Sequence, residues 1–167
     1  MLRKMSGKMK EYGALAGIQL AYSGINGPNL YSKEVPMAVS AAPIRTFTND
    51  PLQARALDKT DIRDLRRWFI NAAKRSKEAG FDLICLYGAH GFGIFQHFLS
   101  RATNHRTDEY GGSLENRARF VNEVISDMKD AVGDKMGITL RVSLDETIGE
   151  LGFSNSEVRD FIEMNRD

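Results

Sequence analysis

The sequence predicts a parallel α/β fold, and three observations carry that prediction. Apolar runs alternate with helix-period segments along the chain. The run Leu83-Ile84-Cys85-Leu86-Tyr87 is nearly continuous in apolar character, as in strands covered on both faces. Helix start and stop signals fall between the runs. The predicted order is helix, strand, helix, strand, helix, strand, helix. Such alternation means βα units joined by right-handed crossovers.

Leu2, Met5, Met9 and Tyr12 recur at three- and four-residue spacing and predict an amphipathic helix that stops at Gly13. Ala14 to Ala21 (ALAGIQLA) is the first strand, with one embedded amide, Gln19. Tyr22 to about Lys59 holds all 4 prolines and little periodicity. It reads as a long excursion on the ligand-facing side. Ile62, Leu65, Phe69, Ala72, Ala73 and Ser76 mark the second helix, with Asp58 or Thr60 as N-cap and Gly80 just past its end. The strand at 82–87 follows and delivers a glycine- and histidine-rich loop. The third helix starts near Ser113, carries Phe120, Val124 and Met128 on one face, and stops at Gly133. Met136 to Leu144 is the third strand, again with one embedded polar group, Arg141. Ser154-Asn155-Ser156-Glu157 is a capping box opening a final helix. Three strands leave two edges open, available for self-association with another chain. The chain reads as beginning and ending in the middle of a motif.

Composition narrows the partners. With 167 residues and 42% hydrophobic content, the chain can bury one core. A net charge of +1, from 23 basic and 22 acidic residues, gives no electrostatic reason to expect nucleic acid or an anionic membrane. Arg63, Arg66, Arg67, Lys74, Arg75 and Lys77 read as a solvated outer face. A single cysteine can form neither an internal disulfide nor a cysteine metal site, and Cys85 reads as inert strand core. No apolar stretch approaches the roughly 20 residues that span a bilayer. Residues 1–11 lack the apolar core of a secretory signal. A soluble, cytoplasmic protein is expected.

Polar groups that interrupt or end apolar strands are candidates for chemistry. Gln19 lies inside the first strand and Arg141 inside the third, while Tyr87 ends the second and His90 follows three residues later. If the strands are parallel neighbours, these groups converge on one face at the strands' C-terminal ends. An amide, a guanidinium and a Tyr/His pair suit a planar, hydrogen-bonding ligand. Each has a plainer alternative: Gln19 as a satisfied core amide, Arg141 in an ion pair with Asp145 or Glu146, Tyr87 as the end of a strand, His90 as an exposed loop residue. His90, His97 and His105 match no ligand spacing, so no metal is expected. Gly88, Gly91 and Gly93 form no dinucleotide-binding fingerprint. Gly111-Gly112 fits the turn into the third helix. These residues predict a ligand face without naming a reaction.

Two quoted stretches go further. Tyr87-Gly88-Ala89-His90-Gly91 together with the run Arg106 to Arg117 (RTDEYGGSLENR) resembles the Old Yellow Enzyme family of FMN-dependent (β/α)8-barrel oxidoreductases, in particular its trimethylamine and dimethylamine dehydrogenase branch. Supporting matches are Gly17 to Leu20, Ala72 to Arg75, Ala79 to Asp82 and Leu140 to Ser143. The resemblance implies a partial TIM barrel of about three βα units, the family's third to fifth strands. It implies that Gln19 pairs with the pyrimidine edge of FMN. Arg141 would sit by flavin N1 and the C2 carbonyl, stabilising the anionic reduced ring. Tyr87 and His90 match the Tyr-x-x-His that amine dehydrogenases place against the substrate, so a small amine is the favoured substrate. Many ene-reductases have His at the first of these positions. Phe92 stands where many relatives have the tyrosine that serves ene-reductases as proton donor. An enoate or NADH:flavin reductase of the same family is the alternative, and an inactive truncated remnant a further one. The family's covalent-flavin cysteine, iron–sulfur segment and phosphate-site strands have no counterpart in the chain.

Overall fold

The computed structural model describes residues 1–27, 34–44 and 53–166. Parts of the predicted excursion, 28–33 and 45–52, and residue 167 lie outside the described residues. Helix α1 (Leu2–Lys10) precedes strand β1 (Gly17–Leu20). A 3-10 turn (Gly24–Asn26) and three short strands follow: β2 (Met37–Ala38), β3 (Ala42–Pro43) and β4 (Gln53–Ala56). Then come α2 (Lys59–Glu78), β5 (Leu83–Gly88), α3 (Ile94–Leu99), α4 (Leu114–Val132), β6 (Gly137–Val142), a second 3-10 turn (Gly149–Leu151) and α5 (Asn155–Met164).

The main sheet has the order β1-β5-β6, with both pairs parallel. The predicted alternation is therefore the organising feature of the fold. Even-numbered residues of these strands (Ile18, Leu20, Ile84, Leu86, Ile138, Leu140) belong to the apolar core beneath α2, α3 and α4. Phe95 and Phe98 of α3 stack on Phe120 of α4, with ring centroids 5.8 and 4.3 Å apart. The odd-numbered residues point the other way, and there the prediction for β5 needs correcting. Its burial alternates along the strand instead of being continuous: Ile84 and Leu86 are buried, Leu83, Cys85 and Tyr87 only partly. Cys85 accordingly faces the open side of the sheet and is not inert core.

The helix termini follow from their sequences. Asp58, not Thr60, caps α2: its side chain accepts the Thr60 and Asp61 N–H groups, and Asp61 returns a bond to the Asp58 N–H. Ser113 caps α4 through the Asn116 N–H. Ser154 caps α5, but the expected capping box is only half made. The Glu157 side chain turns away to Arg117 and Arg101. The basic face of α2 also needs correcting. Arg66 is paired to Glu123 and Asp127 of α4 at 2.9 and 2.7 Å, and Lys77 donates to the Val132 carbonyl. These cations fasten α2 to α4 and are not simply solvated.

Two elements leave no clear signal in the sequence. The excursion contains a second three-stranded sheet, β2-β4-β3, with its own small cluster of Ile25, Ala38 and Ala54. The glycine- and histidine-rich loop contains α3, all six of whose residues are buried. Arg106 ties the small sheet to the α4 entry, donating to the Val39 and Leu57 carbonyls while paired with Asp108. Among the described residues no helix is long and apolar enough to cross a membrane.

Candidate functional site

Register decides which polar groups meet. Gln19 of β1 pairs with Cys85 of β5, and Cys85 with Thr139 of β6. Tyr87 of β5 pairs with Arg141 of β6. Side chains alternate across a strand, so all five share the open face. The predicted convergence is present, but on two levels. Gln19, Cys85 and Thr139 form the lower level; Tyr87 and Arg141 form the upper one, roughly 7 Å further toward the C-terminal ends.

The upper level is a connected group. The Arg141 guanidinium carbon lies 5.6 Å from the centre of the Tyr87 ring, within cation–π range. The Tyr87 hydroxyl and His90 Nδ1 are 2.7 Å apart. Arg141 makes no ion pair among the described residues, which overturns the pairing with Asp145 or Glu146. Asp145 accepts the Thr147 N–H, and Glu146 accepts from Gln96 and the Phe153 N–H. Gln19 is exposed and its side-chain amide makes no hydrogen bond among the described residues, so it is not a satisfied core amide.

His90 is held by its backbone. Its φ is 60°, one of two positive values at non-glycine positions among the described residues. Its N–H donates to Ser143 Oγ at 2.8 Å, just past the end of β6. The next N–H, of Gly91, donates to Gln96 Oε1 at 3.0 Å, and Gln96 Nε2 donates to Glu146 Oε1 at 2.9 Å. The Gly91 carbonyl accepts from Asn26 Nδ2 at 3.1 Å and lies 3.1 Å from His97 Nε2. The loop then turns sharply into α3 at Gly93, whose φ is 89° and where a Cβ would come within 2.6 Å of the Tyr87 carbonyl. Asn26, in the first 3-10 turn, leaves no signal in the sequence, and Gln96 and Ser143 leave only a polar residue inside an apolar helix and one just beyond a strand.

The stretch from Arg106 to Arg117 lies beneath this face and serves as framework. Asn104 Nδ2 donates to the Phe98 and Tyr110 carbonyls. A Cβ at Gly111 would collide with the Arg106 carbonyl. Burial, aided by the hydrogen bond to Glu123, pushes the Tyr110 hydroxyl up to about 12. The Arg106 guanidinium holds the Asp108 carboxyl below the usual range. A hollow of about 310 Å³ between the small sheet and this stretch is lined by Ser40, Leu57, His105 and Arg106, away from Gln19 and Arg141. Among the described residues no group of three His, Cys, Asp or Glu side chains could hold a metal.

A flat, hydrogen-bonding ring suits the open face. Gln19 offers a donor and an acceptor, and Arg141 offers donors only. They stand on strands about 9.5 Å apart, with the small Cys85 between them. That donor set fits the pyrimidine edge of a flavin.

The chain is 81% identical to histamine dehydrogenase from Rhizobium sp. 4-9, whose solved structure it matches with a TM-score of 0.94, covering 98% of this chain and 24% of that one. It is 43% identical over 129 residues to an NADPH dehydrogenase of Geobacillus sp. (strain WCH70), covering 77% of this chain and 36% of the relative. It is 32% identical over 166 residues to dimethylamine dehydrogenase of Hyphomicrobium sp. (strain x), covering 93% of this chain and 22% of the relative. The chain thus spans between about a fifth and just over a third of the length of these relatives. Its solved relatives are TIM-barrel flavoenzymes, and FMN is the cofactor the family implies. The model of the NADH:flavin oxidoreductase / NADH oxidase family matches residues 1–166, and the chain belongs to that family.

Proposed function

We propose that the chain is the flavin- and substrate-facing part of an FMN-dependent amine dehydrogenase, with β1, β5 and β6 as the third to fifth strands of its barrel. The observation that carries this reading is the upper level of the open face. Tyr87 is hydrogen-bonded to His90 and lies under Arg141, with Gln19 one level below. Gln19 and Arg141 hold the flavin ring, and Tyr87 and His90 receive the amine. FMN, when bound, supplies the acceptor for the electron pair leaving the amine carbon. The residues of the chain do the rest. With Tyr87 donating to His90 Nδ1, the lone pairs of the phenol oxygen face outward and accept an N–H from a substrate ammonium. A proton leaving that ammonium passes through the Tyr87 hydroxyl to His90 Nδ1, leaving the neutral amine, the form that can be oxidised. The likeness to histamine dehydrogenase makes histamine the first amine to test, with dimethylamine second.

The test is anaerobic bleaching of bound FMN by each amine, in the wild type and in Tyr87→Phe. The variant should retain flavin and lose about 100-fold in bleaching rate. Equal rates in both proteins would reject the role of Tyr87. The identity to NADPH dehydrogenases supports a second reading, reduction of an activated alkene. Bleaching by NADPH with reoxidation by an enone, and none by amines, would select it.

A further inference from the structure

We infer that Ser143 is the positioning residue for His90: from the end of β6, its hydroxyl fixes the strained backbone of His90 so that the imidazole stays on the Tyr87 hydroxyl. This rests on the reading of Tyr87 and His90 given above, and it adds a residue that neither touches flavin nor receives substrate.

The argument begins with strain. A non-glycine residue at φ 60° occupies a sparsely populated region and persists only when its surroundings hold it there. His90 is exposed and has glycine after it, so packing cannot supply that hold. Hydrogen bonds must. The bond nearest the strained torsion is the one from the His90 N–H to Ser143 Oγ, at 2.8 Å. Three neighbouring bonds act on the turn itself. The Phe92 N–H donates to the Ala89 carbonyl and closes the turn around His90 and Gly91, and the bonds from Gly91 to Gln96 and from Asn26 to Gly91 fix the following peptide. All three leave the His90 N–H untouched, and none ties the turn to β6.

Geometry gives this bond its consequence. Tyr87 is the register partner of Arg141. Ser143 follows Arg141 by two residues and so leaves β6 on the same side. One bond therefore ties the loop after β5 to the exit of β6, directly beside the Tyr87–Arg141 pair. Without it, the Ala89–Phe92 turn keeps its closing bond but loses its anchor on β6, and the His90 ring swings off the phenol. The hydroxyl is the part that matters. Threonine retains it, alanine lacks it, and valine matches threonine in shape without it.

The experiment reads the imidazole itself, independently of amine turnover. The full chain, labelled with nitrogen-15, is compared as wild type, Ser143→Ala, Ser143→Thr and Tyr87→Phe at a pH where His90 is neutral. Tyr87→Phe gives the Nδ1 resonance of an imidazole that has lost the phenol bond. Ser143→Ala should move Nδ1 more than halfway to that position and speed exchange of the His90 amide about fivefold, whereas Ser143→Thr should stay near the wild type. An Nδ1 resonance in Ser143→Ala that remains nearer the wild type would overturn the inference. If Ser143→Ala unfolds, the isosteric pair Ser143→Thr and Ser143→Val makes the same comparison. Absence of amine bleaching in the wild type would refute the dehydrogenase reading and leave this result standing.

Discussion

Arg141 and Tyr87 are direct register partners on adjacent parallel strands, and the guanidinium carbon sits 5.6 Å from the ring centre. That arrangement holds a cation in place without a carboxylate. A carboxylate partner would occupy the guanidinium's N–H groups and cancel its charge. The face of an aromatic ring does neither, so the full fork of donors remains available to a ligand.

Arg141→Lys should therefore be far from conservative. Lysine keeps the charge but loses both the planar fork and the stacking. We expect FMN affinity to fall about tenfold in Arg141→Lys and further in Arg141→Ala, with the flavin potential shifting to more negative values in both. Fluorescence titration and dye-linked potentiometry measure the two effects. Unchanged affinity and potential in Arg141→Ala would refute the proposed contact of Arg141 with the flavin.

The sequence exposed those elements whose burial is one-sided and long. The face of the 20-residue α2 formed by Ile62, Leu65, Phe69 and Ala73 repeats at helical period, and the face of α4 is similarly regular. Helix α3 escaped because six residues, Ile94 to Leu99, are too few to establish a period, and its polar residues Gln96 and His97 are buried with the rest. The small sheet escaped because strands of two to four residues are too short to alternate. In the site, Gln19, Tyr87, His90 and Arg141 stood out as polar residues in or beside apolar strands. Their two levels could not be read, since register depends on pairing and not on local sequence. Ser143 and Gln96 were hidden for a different reason: their partners are the backbone N–H groups of His90 and Gly91, which leave no mark in a sequence.

Tyr110 predicts an alkaline limit to stability. Burial and its hydrogen bond to Glu123 raise its hydroxyl from 10.0 to about 12 in the folded chain. A raised folded value means that the contribution is fully present below the unfolded value, near 10. It is lost as pH climbs from there through about 12. Urea midpoints should thus fall across that window in the wild type and fall less in Tyr110→Phe. Parallel curves for the two proteins would show that other groups govern the alkaline transition.

Arg117 is 1% exposed, and its guanidinium is divided among the Leu99 carbonyl, the Gly112 carbonyl and the Glu157 carboxylate. Those contacts join the end of α3, the glycine turn before α4 and the first turn of α5. Arg101 binds the same Glu157 oxygen from the solvent side at 2.6 Å, with its own side chain 52% exposed. Removing the carboxylate charge leaves Arg117 buried and unbalanced, whereas removing both partners leaves no buried charge. Glu157→Gln should cost about 3 kcal/mol in urea unfolding. The double variant Arg117→Met with Glu157→Leu should cost clearly less, because the two apolar side chains fill the space without a desolvated ion. A double variant as unstable as Glu157→Gln would mean that the three carbonyl and carboxylate contacts act mainly as a geometric joint between the helices. Charge balance would then be a minor part of what Arg117 does.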